Sequence, residues 1–108
     1  MAETVDDRIR EMVRRIVEAV GPDRVIMFGS RARGEAGEGS DVDLMIIAPS
    51  DLPVWRRTMP LYMLLGGLGL AKDLLWWTPE EVEDWREVRS HVISRALREG
   101  KVLYEKAA

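Results

Sequence analysis

Cysteine, asparagine and glutamine are absent from this chain, and histidine occurs once, at position 91. Without cysteine there can be no disulfide framework, no thiolate nucleophile and no cysteine-based zinc site. The missing amides, together with the excess of Arg over Lys, match the composition of heat-adapted chains. GC-rich coding produces the same bias, so composition alone does not separate the two. Long hydrophobic runs are also lacking: the most apolar stretch, Met59 to Ala71, is broken by Pro60, Gly66, Gly67 and Gly69 and is too short to span a bilayer. The opening residues, MAETVDDRIREMV, are acidic and have no apolar core, which predicts that they are not a signal peptide. A cytoplasmic location and no membrane partner are therefore expected. Positive charge is outweighed by negative, 16 Lys and Arg against 19 Asp and Glu. The net charge of −3 argues against a protein that holds nucleic acid by broad phosphate neutralisation.

What is present describes a globular chain. At 108 residues, with 46% hydrophobic and 32% charged residues, it suits one hydrophobic core and is expected to form a single domain over residues 1–108. Val5, Ile9, Met12, Val13, Ile16, Val17 and Val20 recur at helical spacing up to Gly21-Pro22. Arg24 to Phe28 reads as a short buried strand, followed by a helical turn near Ser30 to Arg33 and a loop over Gly34 to Gly39. Asp41 to Ala48 is the second strand, stopped by Pro49. Leu52 to Leu65 is predicted helical, with Pro60 starting a new helix or kinking the first. Ala71 to Trp77 is the third strand. Thr78-Pro79-Glu80-Glu81 opens a helix, with Thr78 as its cap and Glu81 reaching back. Val82, Trp85, Val88, Val92, Ile93, Ala96 and Leu97 form one apolar stripe along that helix as far as Gly100, and Val102 to Tyr104 adds a short strand. The order predicts an α/β (α+β) fold, a small mixed sheet flanked by helices.

Residues 29–44, GSRARGEAGEGSDVDL, carry the chemistry. Asp41 and Asp43 stand two apart at the start of an apolar strand, so they leave the same face, about 6.6 Å apart at ~3.3 Å per residue. Two carboxylates at that spacing repel by roughly 2.5 kcal/mol at an effective dielectric near 20. Packing gives a strand end no reason to carry that repulsion, whereas a divalent cation reverses its sign. Oxygen ligands with no His or Cys nearby favour Mg²⁺, or Mn²⁺, over zinc. Gly29-Ser30 lies where a strand meets a short helical turn, a place where backbone N–H groups meet anions. Ser30 adds a hydroxyl, Arg33 a guanidinium fork, and Arg31 a second candidate cation.

Each piece alone has a plainer reading. SDVD can cap a turn or be a solvated strand entrance, and GSRARG can be a polar connection. GEAGEGS is no P-loop, because the lysine is missing and no clear helix follows. Their joint occurrence around two apolar strands favours a site.

The same segment resembles the signature of the polymerase β-like nucleotidyltransferase superfamily. More narrowly it resembles the minimal nucleotidyltransferase (MNT) family pattern: Gly-Ser-x-Ala-Arg-Gly, five variable residues, then Ser-Asp-x-Asp-Leu. Gly29, Ser30, Ala32, Arg33, Gly34, Ser40, Asp41, Asp43 and Leu44 all match. The resemblance places a third carboxylate on a later strand before a Thr-Pro-Glu helix start, the position of Asp73 in KDLLWWTPEE. It extends to the ending ALREGKVLYE, with Lys72 and the bulky Trp76-Trp77 as the less typical residues. It implies the polymerase β-like fold, two Mg²⁺ ions held by Asp41, Asp43 and Asp73, and ATP as substrate. Gly29, Ser30, Arg31, Arg33 and Ser40 form the implied nucleotide-binding set. Such proteins are commonly paired with a HEPN-domain ribonuclease toxin, and the implied reaction transfers AMP from ATP to a tyrosine of that toxin, making this chain an antitoxin. A purely binding antitoxin and an enzyme acting on a small molecule are the competing classes, and a homodimer is compatible with either.

Other polar and aromatic residues read as structural. His91 is expected to be solvated or hydrogen-bonded rather than catalytic. Trp55, Trp76, Trp77 and Trp85 are expected in the core, with Trp76 and Trp77 on opposite faces of their strand. Arg56-Arg57 and the acidic run Glu80 to Glu87 read as solvated faces.

Overall fold

The computed structural model describes residues 4–37 and 41–107. Helix α1 spans Val5–Val20. Thr4 starts it with a reciprocal cap, its Oγ1 accepting from the Asp7 N–H at 3.0 Å while Asp7 accepts from the Thr4 N–H at 3.2 Å. Gly21 ends it in the left-handed region at φ +62°, donating to the Val17 carbonyl. Between those caps the predicted periodicity buries Ile9, Met12 and Ile16.

The strands are β1 (Arg24–Phe28), β2 (Val42–Ile47), β3 (Lys72–Trp77) and β4 (Lys101–Glu105). They form one mixed sheet in the order β3-β2-β1-β4. β1 is antiparallel to β2 and β4, and β2 is parallel to β3. This is the expected mixed sheet, with β2 and β3 slightly shorter than read from the sequence.

Alternation along the strands splits the core in two. Val25, Met27, Val42, Leu44, Ile46 and Leu74 pack with α1, and with Leu61 and Leu65, on one face. Ile26, Met45 and Ile47 pack with Val82, Ile93 and Ala96 on the other. Side chains buried to this degree each contribute about 1.5–3 kcal/mol. Trp76 joins the first cluster and Trp77 the second, as strand alternation requires.

The segment before β3 forms two short helices, α3 (Val54–Arg57) and α4 (Met59–Leu64), with Pro60 in the first turn of α4. α2 (Gly29–Ala32) is the short turn after β1. The Thr78 capping box with Glu81 is present, opening α5 (Pro79–Trp85).

Three expectations are corrected. The stripe from Val82 to Leu97 is not one helix: α5 stops at Trp85, and a separate α6 spans Val92–Glu99. His91 makes the break, because its Nδ1 accepts from the Ile93 N–H at 3.1 Å and caps α6. Trp85 and Val88, which one continuous helix would have buried, stand exposed, and Trp85 stacks on the His91 ring at 4.5 Å. Trp55 is likewise not core but 79% exposed. Arg57 is not solvated but 6% exposed, ion-paired to Glu81 at 2.6 Å.

Among the described residues, no helix is long and apolar enough to cross a membrane.

Candidate active site

The site forms where β1 ends and β2 and β3 begin. Phe28, the last residue of β1, pairs with Asp43 on β2, so the turn after Phe28 lies beside that carboxyl group. Gly29 makes the turn at φ +75°, and a Cβ there would collide with Asp43 Oδ2. Glycine is required twice over, for conformation and for space. The chain then enters α2, carrying Ser30 and Arg31, both half-buried, with Arg33 as the C-cap. Glu35 N–H donates to the Ser30 carbonyl at 2.9 Å and curls the following loop back onto α2.

β2 and β3 run parallel with Asp43 directly opposite Asp73. Residues paired in register point to the same face, so Asp73 shares the face of Asp43 and acts directly on its carboxyl group. Asp41 precedes β2 on the parity of Asp43 and is exposed. Burial foremost, then the charges of Asp73 and Asp41, and then the hydrogen bond with Asp73 push the Asp43 carboxyl above its ordinary range; Arg33 works in the opposite direction. Arg33 is itself tied to Glu35, Nε to Oε2 at 3.0 Å.

Asp43 on β2 and Asp73 on β3 are thus the close pair, with Asp41 exposed just before β2. Among the described residues, no group of three acidic or histidine side chains is placed so that it could hold a metal ion. The chemistry of the donor set nevertheless suits a hard divalent cation. The donors are all oxygen, and Asp43 carries an incompletely compensated negative charge that a cation would offset. Ser40, the remaining candidate from the motif, lies outside the described residues.

Sequence reasoning missed the wall that faces α2. A cavity of about 160 Å³ opens beside Phe28, Gly29 and Arg33. Its far side is α6, through Val92, Arg95, Ala96 and Glu99. Gly100 lets α6 lie against β1, since a Cβ there would collide with the Ala96 carbonyl and Ile26 Cγ2. The segment VISRALREG, residues 92–100, holds these residues, but spacing alone does not reveal that they approach residues some 65 positions earlier.

A mixed sheet flanked by helices, with spaced aspartates beside a Gly-Ser turn, defines the nucleotidyltransferase class. Residues 7–105 match the nucleotidyltransferase domain family, and the chain belongs to it. A protein of Methanocaldococcus jannaschii, provisionally named a protein adenylyltransferase, is 38% identical over 53 residues. That match covers 49% of this chain and 52% of the relative, so the chain spans about half the length of the curated relative it matches. Two solved structures share the fold at 19% identity. One is a provisionally assigned nucleotidyltransferase from Sulfolobus solfataricus, with a TM-score of 0.63, covering 98% of this chain and 93% of its own. The other is a toxin–antitoxin complex with AMP-PNP, with a TM-score of 0.57, covering 95% of this chain and 75% of its own.

Proposed function

We propose that this chain is a Mg²⁺-dependent adenylyltransferase that moves AMP from ATP to a tyrosine hydroxyl of a HEPN-domain toxin and so acts as its antitoxin. The observation carrying the reading is the convergence of Asp43 and Asp73, with Asp41 at the mouth, beside a glycine turn that no other residue can make. Family membership, the resemblance of residues 29–44 to the MNT signature, and the protein adenylyltransferase name of the relative support it.

Asp41, Asp43 and Asp73 would hold the divalent ions, which when bound neutralise the triphosphate and the leaving pyrophosphate. The Gly29-Ser30 backbone and the Ser30 hydroxyl orient the phosphates, and Arg33 leaves Glu35 to grip them. Asp73, exposed at the strand entrance, accepts the proton of the tyrosine hydroxyl. The phenolic oxygen bonds to the α-phosphorus as the bond from that phosphorus to the bridging oxygen breaks, and pyrophosphate leaves. Positioning and charge placement supply most of the acceleration.

The test is incubation with α-labelled ATP, Mg²⁺ and the HEPN partner. Label is expected on the partner, lost in the Asp41→Ala/Asp43→Ala variant; label transfer surviving that variant sinks the mechanism. One observation favours neutralisation by contact instead, the exposed apolar side chains of Trp55, Met59 and Met63. A variant lacking all three aspartates that still silences the partner would move the conclusion to that reading.

A further inference from the structure

Tyrosine occurs twice in the chain, and the sheet keeps the two apart. Tyr104 lies on β4, the edge strand opposite β3, and pairs with Val25 at the end of β1 remote from Gly29. Tyr62 lies on α4, one position after Leu61, which packs into the core against the sheet. On β3 the carbonyls of Ala71 and Trp77 face β2, accepting from Val42 at 3.0 Å and Ala48 at 3.1 Å. By alternation the backbone groups of Leu74 face the open edge of the sheet. There the Tyr62 hydroxyl accepts from the Leu74 N–H at 2.9 Å.

That contact brings a phenol to the aspartate end of β3. Asp73 immediately precedes Leu74, and its Cα is two covalent bonds from the Leu74 nitrogen. The phenolic oxygen therefore lies within about 6 Å of the Asp73 Cα, the combined reach of an aspartate side chain and one hydrogen bond. Both residues are open to solvent, Tyr62 at 37% exposure. Covering an open strand edge accounts for a polar side chain at this place, and Arg57 does the same at the Trp76 carbonyl. That duty uses only the oxygen as an acceptor and leaves the phenolic O–H as a donor.

We propose that Tyr62 is a second acceptor of the transferred nucleotide, so that the chain adenylylates itself beside its own Asp73. The inference rests on the nucleotidyltransferase reading and adds to it an acceptor within the chain. The phenolic proton passes to the Asp73 carboxylate. The phenolic oxygen bonds to the α-phosphorus of ATP as the bond from that phosphorus to the bridging oxygen breaks, and pyrophosphate leaves. Acceptor and carboxylate are held on one chain, so the step needs no encounter between two protein molecules.

Incubating the unaltered protein alone with α-labelled ATP and Mg²⁺, then mapping its peptides by mass spectrometry, tests the proposal. A single AMP is expected on Tyr62, formed with a rate constant that stays the same over about a hundredfold dilution of the protein. Label is expected to be lost in Tyr62→Phe, whose folding is checked by its melting curve, and kept in Tyr104→Phe. AMP mapped to another residue would overturn the proposal whether or not Tyr62→Phe folds. A rate constant rising in proportion to protein concentration would overturn it as well, because the acceptor would then belong to another molecule. An unlabelled chain in a mixture whose HEPN partner becomes labelled would overturn it and leave the nucleotidyltransferase reading intact. Absence of label from both proteins would overturn both readings.

Discussion

Strand β3 carries a charged cluster at each end, and the fold treats the two in opposite ways. Beyond its C-terminal end, Glu81 meets the buried Arg57 through two contacts, at 2.6 and 3.2 Å. Arg57 spends its other donors on the Leu52 carbonyl at 2.8 Å and the Trp76 carbonyl at 3.3 Å. Glu81 also accepts from the Thr78 N–H at 2.8 Å. The Arg57 hydrogen bond, chiefly, holds the Glu81 carboxyl below its ordinary range. At the N-terminal end, burial and then the charges of Asp73 and Asp41 push the Asp43 carboxyl up against the opposing charge of Arg33. Where charge serves structure it is compensated. Where it is only partly compensated, the proposed function supplies the ligand that would complete it.

The largest expected effect separates these roles at the uncompensated end. Asp43→Asn is expected to cut label transfer by about a thousandfold or more, on the order of 4 kcal/mol of transition-state stabilisation. In buffer containing a chelator, the same change is expected to raise Tm, because a neutral amide no longer repels Asp73. Rate and melting measurements on one preparation check both. A fall in Tm would mean that the Asp43–Asp73 pair is structural, and the contrast between the two ends would collapse.

At the compensated end the next largest effect is on stability. Arg57→Met leaves the Glu81 carboxylate half-buried without its partner, and about 3 kcal/mol is expected to be lost. Transfer per folded molecule is expected to stay within about twofold, since Arg57 belongs to the Leu52, Trp76 and Glu81 contacts rather than to the site. Urea unfolding beside a transfer assay measures the two. A stability change within the ±0.5 kcal/mol of a surface substitution would contradict the burial of the pair.

The same two ends show what the sequence could disclose. Asp41 and Asp43 were legible because strand periodicity is local, and two residues of spacing fix a shared face. Gly29-Ser30 was legible because it closes an apolar run. The approach of Asp73 was expected from the family resemblance alone; the physics behind it is parallel pairing across the whole α3–α4 excursion, which no local pattern encodes. Arg57 was misread as solvated for the same reason: its partner lies 24 positions on, and an Arg-Arg pair beside exposed residues carries no mark of burial. The helix break at His91 was missed because the apolar spacing continues across it, while the deciding contact is one side-chain cap. Local period found the strands and the near half of the candidate site, and long-range pairing supplied the rest of its geometry.

The smallest expected effect gives the comparison a sign. Glu81 has a folded-state carboxyl held below its unfolded value, so its contribution is fully present above the unfolded carboxylate pKa, about 4.3, and is lost as pH falls through the lower folded value. Glu81→Gln removes that contribution at every pH. It is expected to lower stability at pH 7 by on the order of 1 kcal/mol, the opposite direction to the same carboxylate-to-amide change at Asp43. Its deficit against the unaltered protein is expected to shrink as pH falls below about 4. Asp7 and Glu11 are also held low by their hydrogen bonds, but their exposed pairs are screened by solvent, and both are common to the two proteins compared. Urea midpoints for both proteins at several pH values between roughly 3 and 7 give the difference directly. The absence of a deficit at any pH would assign the role of Glu81 to its cap on the Thr78 N–H, which an amide oxygen can also accept, and not to its charge beside Arg57.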